Sequence, residues 1–226
     1  LKNKNKVFFY ILSFVFLSTI VNNNFSINID KFFLIKNIYI DIDEEENKNL
    51  IKSQTNFLLN SNIFKIDRKA IVKKISNLNF LEKIEIYKDY PSQIIIKAKE
   101  TEIIAVTYLD QKKYFVGLNG KFISEKKLNN IEKLPIIFGK FKINDFISFR
   151  EKLNQNKVDN SKISKYYFHK NKRWDLYFNN NILLKLPEKN IDNALSLFKY
   201  FQKNNKIKRN TIVDLRIANR VILNYE

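Results

Sequence analysis

The 226-residue chain has no cysteine, no methionine, three glycines, three prolines, one histidine and one tryptophan. Each scarcity removes a class of chemistry. Without cysteine there are no disulfides, no thiolate metal sites and no cysteine nucleophile, and the redox compartment stays undecided. Gly117, Gly120 and Gly139 are too few and too scattered to form a phosphate-cradling loop. His169 has no second imidazole to share a metal with, and zinc held by carboxylates alone is unusual. It lies in the polar run His169-Lys170-Asn171-Lys172-Arg173, where a surface loop is the ordinary placement. A Ser-His-Asp site would need His169 as its base, and nothing beside it in sequence supplies the partners. Acidic neighbours such as Asp41 and Asp43, or Glu44 and Glu45, read as solvated turn residues and not as an acid–base pair. The expectation is a protein without catalytic residues, cofactor or metal.

What the chain does have is apolar content of 45% and aromatic content of 14%, enough for a folded core. Its net charge of +18 invites a nucleic-acid or anionic-membrane reading. The lysines are spread along the chain among abundant Asn, Ile and Phe, which instead fits a composition bias of the whole sequence. The basic run ending in Arg173-Trp174 could stack on bases. The simpler assignment buries Trp174 in a core and leaves Arg173 at its rim as a candidate partner contact.

Lys2, Lys4 and Lys6 precede an uncharged stretch, Val7 to Val21, and the next charge is Asp30. The apolar run is shorter than the roughly 20 residues that span a bilayer, but the uncharged residues up to Ile29 extend it. A cleaved signal peptide would show small residues in an A-x-A arrangement after the run, and none are there. A retained anchor over 7–29 is therefore expected, with residues 1–6 as a short cytoplasmic tail by the positive-inside rule.

Residues 63–100 change hydrophobic period twice. Ala70, Ile71, Ile75 and Leu78 recur at helical spacing behind Asp67, a cap residue. From Leu81 the period drops to two, a turn follows at Tyr90-Pro91-Ser92, and Ile94 to Glu100 form a second strand. Upstream, Asp30 to Asp43 reads as a strand and Glu46 to Leu59 as a helix. Residues 31–100 thus predict β-α-α-β-β. Beyond Glu100 come short strands at 103–109, 113–116, 122–123, 163–168, 173–178, 182–186, 211–216 and 220–225, with an apolar run at 134–139 bounded by Pro135 and Gly139. Between them the pattern predicts helices at 145–155, capped by Asn144, and at 188–203.

Ile63-Phe64-Lys65-Ile66-Asp67, Tyr90-Pro91 before an alternating strand, and Leu118-Asn119-Gly120 occur in that order. Leu134-Pro135 with Gly139, Arg173-Trp174, Leu186-Pro187 and Val213-Asp214-Leu215-Arg216 with Arg220-Val221 follow them. Together, behind an N-terminal anchor, these phrases resemble the bacterial cell-division family FtsQ/DivIB. The resemblance implies an α+β chain: a transmembrane helix, a POTRA domain (β-α-α-β-β) over 31–100, and a mixed β-domain with flanking helices over 101–226. It implies a non-enzymatic divisome scaffold of the inner membrane, single-pass, with its N-terminus cytoplasmic and its domains periplasmic. FtsB-like and FtsL-like partners would bind by strand addition at the C-terminal sheet edge. The residues carried over for contact are Arg216, Ile217, Val221, Leu223 and Tyr225, with Arg173 beside them. Ile217 stands where some members have an aromatic residue. The alternative is another POTRA-type module that holds client strands in outer-membrane assembly or secretion.

Overall fold

The structure is a computed structural model, and it describes residues 2–19, 29–124 and 134–225. Helix α1 (Lys2–Thr19) opens the chain, and α2 (Ile29–Phe32) is a single turn. Apolar side chains of α1 from Val7 to Leu17 are exposed all round it. Among the described residues no helix is long and apolar enough to cross a membrane. The uncharged part of α1, from Val7 to Thr19, rises only about 20 Å against a hydrocarbon core of about 30 Å. The continuation of the expected anchor, residues 20–28, lies outside the described residues.

The N-terminal unit runs β1 (Asn37–Asp41), α3 (Glu45–Thr55), α4 (Arg68–Ile75), β2 (Leu81–Asp89) and β3 (Gln93–Glu100), so its order is β-α-α-β-β. β3 is central, parallel to β1 and antiparallel to β2. The expected first strand is shorter than its pattern: residues 29–32 turn as α2 before β1 begins. α4 starts where the sequence places its cap, with Asp67 Oδ1 accepting from Lys69 N at 2.9 Å. Ile71 and Ile75 of α4 and Ile51 of α3 meet Ile94 and Ile96 of β3 in a closed core. Glu45 and Glu46 stand in the first turn of α3, where the helix dipole favours acids.

A nine-stranded mixed sheet forms the rest. Its strands are β4 (Ile103–Leu109), β5 (Lys112–Gly117), β6 (Phe122–Ser124), β7 (Ile136–Phe138), β8 (Ile163–Phe168), β9 (Trp174–Phe178), β10 (Leu183–Lys185), β11 (Thr211–Asp214) and β12 (Ile222–Tyr225). Across the sheet they lie in the order β12-β11-β10-β9-β8-β7-β4-β5-β6. α5 (Ile143–Gln155) crosses from β7 to β8, and α6 (Ile191–Lys203) from β10 to β11; each links two parallel neighbours. Both helices cover the same face. Phe146, Phe149 and Leu153 of α5, and Ala194, Leu195 and Phe198 of α6, recur at three- and four-residue steps. They pack on the row Ile137, Tyr166, Leu176, Leu184, Val213 and Leu223, which the strand register sets side by side. Trp174 is buried at the centre, its ring 5.0 Å from Phe149 and stacked at 8°. Asn144 is not the cap of α5: the helix begins at Ile143, after Lys142, which makes no side-chain cap bond. Asn190 precedes α6 at φ 58°.

The two units share a junction. Val106, Phe115 and Ile123 of the large sheet belong to the core of the N-terminal unit. Asn119, in the β5–β6 turn, donates through Nδ2 to Asn79 O and Leu81 O, both at 2.9 Å.

Candidate functional site

β12 pairs antiparallel with β11 in the register Thr211 to Tyr225, Ile212 to Asn224, Val213 to Leu223 and Asp214 to Ile222. The reversal between them is made by residues 215–221, with Asn219 at φ 59° supplying the left-handed step. β12 is the edge of the sheet, and among the described residues no strand pairs with its outer side. Such an edge presents unpaired N–H and C=O groups.

Pleating sorts the predicted contact residues. Val221 and Leu223 pack against the chain's own core, which leaves their backbone as the part open to a partner. Tyr225 is 58% exposed and its hydroxyl donates to Lys206 O at 3.2 Å. Ile217 is 52% exposed in the β11–β12 connection. With Arg216, Pro187 and Lys189 it lines a hollow of about 500 Å³ beside the start of α6. Ile222 is 43% exposed on the outer face of β12, a position that neither the sequence pattern nor the resemblance singles out. Only strand parity within the finished sheet distinguishes it from Leu223.

The face of the sheet opposite α5 and α6 carries a second feature from β8 to β12. Tyr167, Asp175, Lys185, Asp214 and Ile222 sit in one register row from β8 to β12. Asp175 is buried at 5% exposure. His169 Nε2 lies 2.8 Å from its Oδ2 and Arg173 Nε 3.6 Å from its Oδ1. Arg216 grips Asp214 with Nε at 2.8 and 2.9 Å and with Nη2 as well. The side-chain bonds from Arg216 hold the Asp214 carboxyl below the usual carboxylate range, and Asp214 in turn raises the guanidinium. The row thus brings Arg173 and Arg216, far apart in sequence, onto one face, and the charge of Asp175 reaches Arg216. Tyr225 and Leu223 lie on the opposite side.

His169 therefore has an acid partner, Asp175, that its neighbours in sequence did not reveal. Among the described residues no serine hydroxyl bonds the imidazole, and no group of three His, Asp or Glu is placed to hold a metal ion. A cavity of about 840 Å³ lies between α6 and the Asn179–Asn181 turn; its lining includes Lys157, Lys199 and Arg209, and Asp159 is the one acid among its lining residues.

Comparison with known proteins bears on this sheet. Residues 105–216, from β4 past β11, match the family described as "Cell division protein FtsQ/DivIB, C-terminal". The cell division protein FtsQ of Rhizobium radiobacter is 24% identical over 165 residues, covering 72% of this chain and 79% of that protein. FtsQ of Rickettsia bellii is 25% identical over 200 residues, covering 83% of this chain and 71% of that protein. FtsQ of Agrobacterium fabrum is 24% identical over 165 residues, and the chain spans about half, 52%, of that protein's length. Among solved structures, the major extracytoplasmic domain of the trans isomer of DivIB from Geobacillus stearothermophilus matches 48% of this chain and 98% of its own. Its sequence identity is 13% and its TM-score 0.32, and a likeness that loose bears no weight. An α+β chain with this family's profile across its large sheet is a bacterial cell-division protein. It belongs to the FtsQ/DivIB family.

Proposed function

We propose that the chain is a non-catalytic scaffold of the division machinery, anchored in the inner membrane, that receives a strand from an FtsB-like partner along β12, with an FtsL-like protein alongside. The open edge of β12 is the observation that carries this reading. An added strand gains main-chain hydrogen bonds along that edge and takes specificity from side chains that alternate across it. Arg216 and part-buried Arg173 on the face opposite α5 and α6, and exposed Ile217, Ile222 and Tyr225, are the side chains offered to the partner. The unit over 31–100 is read as a POTRA domain from its β-α-α-β-β order, and 101–226 as the family's β-domain. The anchor is α1 together with the uncharged residues up to Ile29, and residues 1–6 are its cytoplasmic tail; both extracytoplasmic units then lie in the periplasm. A role in outer-membrane assembly or secretion draws no support from the family match.

Proline substitution along β12 tests the edge. Consecutive residues of a strand point their N–H groups in opposite directions, so of Leu223→Pro and Asn224→Pro one cuts the ladder to β11 and the other removes an outward donor. The variant that keeps the native circular dichroism and melting midpoint is then mixed with the exported segment of the FtsB-like protein. Loss of binding supports strand addition, and wild-type binding moves the interface away from β12.

A further inference from the structure

Three separate segments converge at one end of the three-stranded sheet. They are the entering stretch from α2 to Phe33, the 3-10 turn Ile63–Lys65, and the β2–β3 turn at Tyr90. Backbone bonds lock them together: Ile63 N donates to Phe33 O at 2.9 Å, Ile35 N to Ser61 O at 2.9 Å and Lys36 N to Ser92 O at 2.8 Å. Asn62 Oδ1 caps the turn by accepting from Phe64 N at 2.9 Å.

This framework displays four rings in unbroken contact. Phe32 meets Phe33 edge-on at 5.4 Å, Phe33 meets Phe64 at 4.8 Å, and Phe64 stacks on Tyr90 at 5.2 Å. Phe32, Phe64 and Tyr90 are 61%, 58% and 55% exposed. Exposed apolar side chains on a folded domain are ordinarily scattered singly, and a contiguous patch marks a surface that something covers. Each segment also carries lysine: Lys31 and Lys36, Lys65, and Lys88. Among the described residues none of the four is ion-paired. Asp67, the acid nearest Lys65 in sequence, has its Oδ1 engaged at the start of α4.

We propose that this aromatic and lysine patch rests in the headgroup layer of a bilayer containing anionic lipid, and so fixes how the N-terminal unit stands on the membrane. The proposal rests on the reading of α1 and the residues after it as an anchor. α2 begins ten residues after α1 ends, so even a fully extended connection keeps the start of α2 within about 36 Å of the end of that helix, with Phe32 one helical turn further on. Aromatic rings are favoured at the membrane–water interface, where apolar faces meet lipid and polar tips meet water. Lysines beside them gain from the negative surface potential, an attraction that fades within about a Debye length of roughly 8 Å. The patch combines both requirements on a rigid frame, and the chain's own route delivers it to that surface.

The test is depth-dependent fluorescence quenching with the full chain reconstituted into phosphatidylcholine vesicles with and without phosphatidylglycerol, containing lipids brominated on the upper acyl chain. Phe64→Trp provides the reporter and Tyr108→Trp, at an exposed position of β4, the control; buried Trp174 gives a constant background. A blue-shifted reporter signal, quenched at least twofold more than the control and more strongly with phosphatidylglycerol, supports the proposal. An unshifted, unquenched reporter overturns it and leaves a protein as the occupant of the patch. Alkaline carbonate extraction separates this from the anchor reading: chain that stays with the vesicles while the reporter is unquenched keeps the anchor and loses the patch. Chain that is extracted and unquenched loses both, and chain that is extracted but quenched at neutral pH keeps the patch alone.

Discussion

Asn119 is the residue on which the two units are expected to hinge energetically. Its Nδ2 spans Asn79 O and Leu81 O, its Oδ1 accepts from Lys121 N at 3.1 Å, and its own N–H reaches Thr101 Oγ1 at 3.0 Å. Gly117 makes room for it, since a Cβ there would come within 2.6 Å of Asn119 Oδ1. Asn119→Ala deletes two bonds to the N-terminal unit, each worth about 1 kcal/mol net, and strands the part-buried Leu81 carbonyl, so the expected loss is about 2–3 kcal/mol. Asn119→Asp goes further at neutral pH, because it turns carboxylate oxygens towards two carbonyl oxygens; its loss should exceed that of alanine by about 1 kcal/mol or more. The introduced carboxyl would have its folded-state pKa raised by those carbonyls. Its extra penalty is therefore full above that raised value and fades as the pH falls through it. Urea unfolding followed by circular dichroism, across pH, measures both variants. A loss below about 0.5 kcal/mol for alanine, or an aspartate variant no worse than alanine at neutral pH, would refute the reasoning.

Other outcomes follow from single contacts. Gly139 stands at φ 104° with its Cβ position 2.1 Å from Phe168 O, so Gly139→Ala should cost about 3 kcal/mol or more by prising β7 from β8, read as a lowered melting midpoint. Trp174→Ala should cost about 3–5 kcal/mol in urea titration, since its buried ring is ringed by Phe149, Phe146, Phe168 and Tyr166. Arg216→Gln should cost about 1 kcal/mol at neutral pH. The Asp214 carboxyl is depressed in the fold, so its stabilisation is present above the ordinary carboxylate pKa and disappears as acid takes the pH below the depressed one; variant and wild type should then converge. Burial pushes the Tyr166 phenol far up, and spectrophotometric titration should show one tyrosine that ionises only when alkali unfolds the chain.

Local patterns determined most of the elements. Helical spacing behind Asp67 sets α4, and its Oδ1 caps Lys69 N as that residue type requires. Period-two runs and the Tyr90-Pro91 and Asn119-Gly120 turns set β2 to β6, because side-chain periodicity and turn chemistry depend on residues near each other in the chain. The shift to a 3-10 turn at residues 56–58, the start of α5 at Ile143 and the single helical turn at 29–32 were not legible, since end geometry follows packing more than propensity.

The candidate site divides in the same way. Val221, Leu223 and Tyr225 are named by the family resemblance, and which of them turns inward follows from parity only once β11 fixes the register. Asp175 meets His169 and Arg173 at the end of the β8–β9 hairpin, and Arg216 closes on Asp214 two residues away; that the two clusters share a row from β9 to β11 follows from α6 carrying the chain from β10 to a parallel β11. The ring cluster of Phe32, Phe33, Phe64 and Tyr90 is assembled from three segments that only the folded backbone brings together. Sequence by itself determined the elements and the family, because both are written in short-range pattern. Tertiary structure alone decided the shared charged row and the aromatic patch, because each depends on segments distant in the chain being brought side by side.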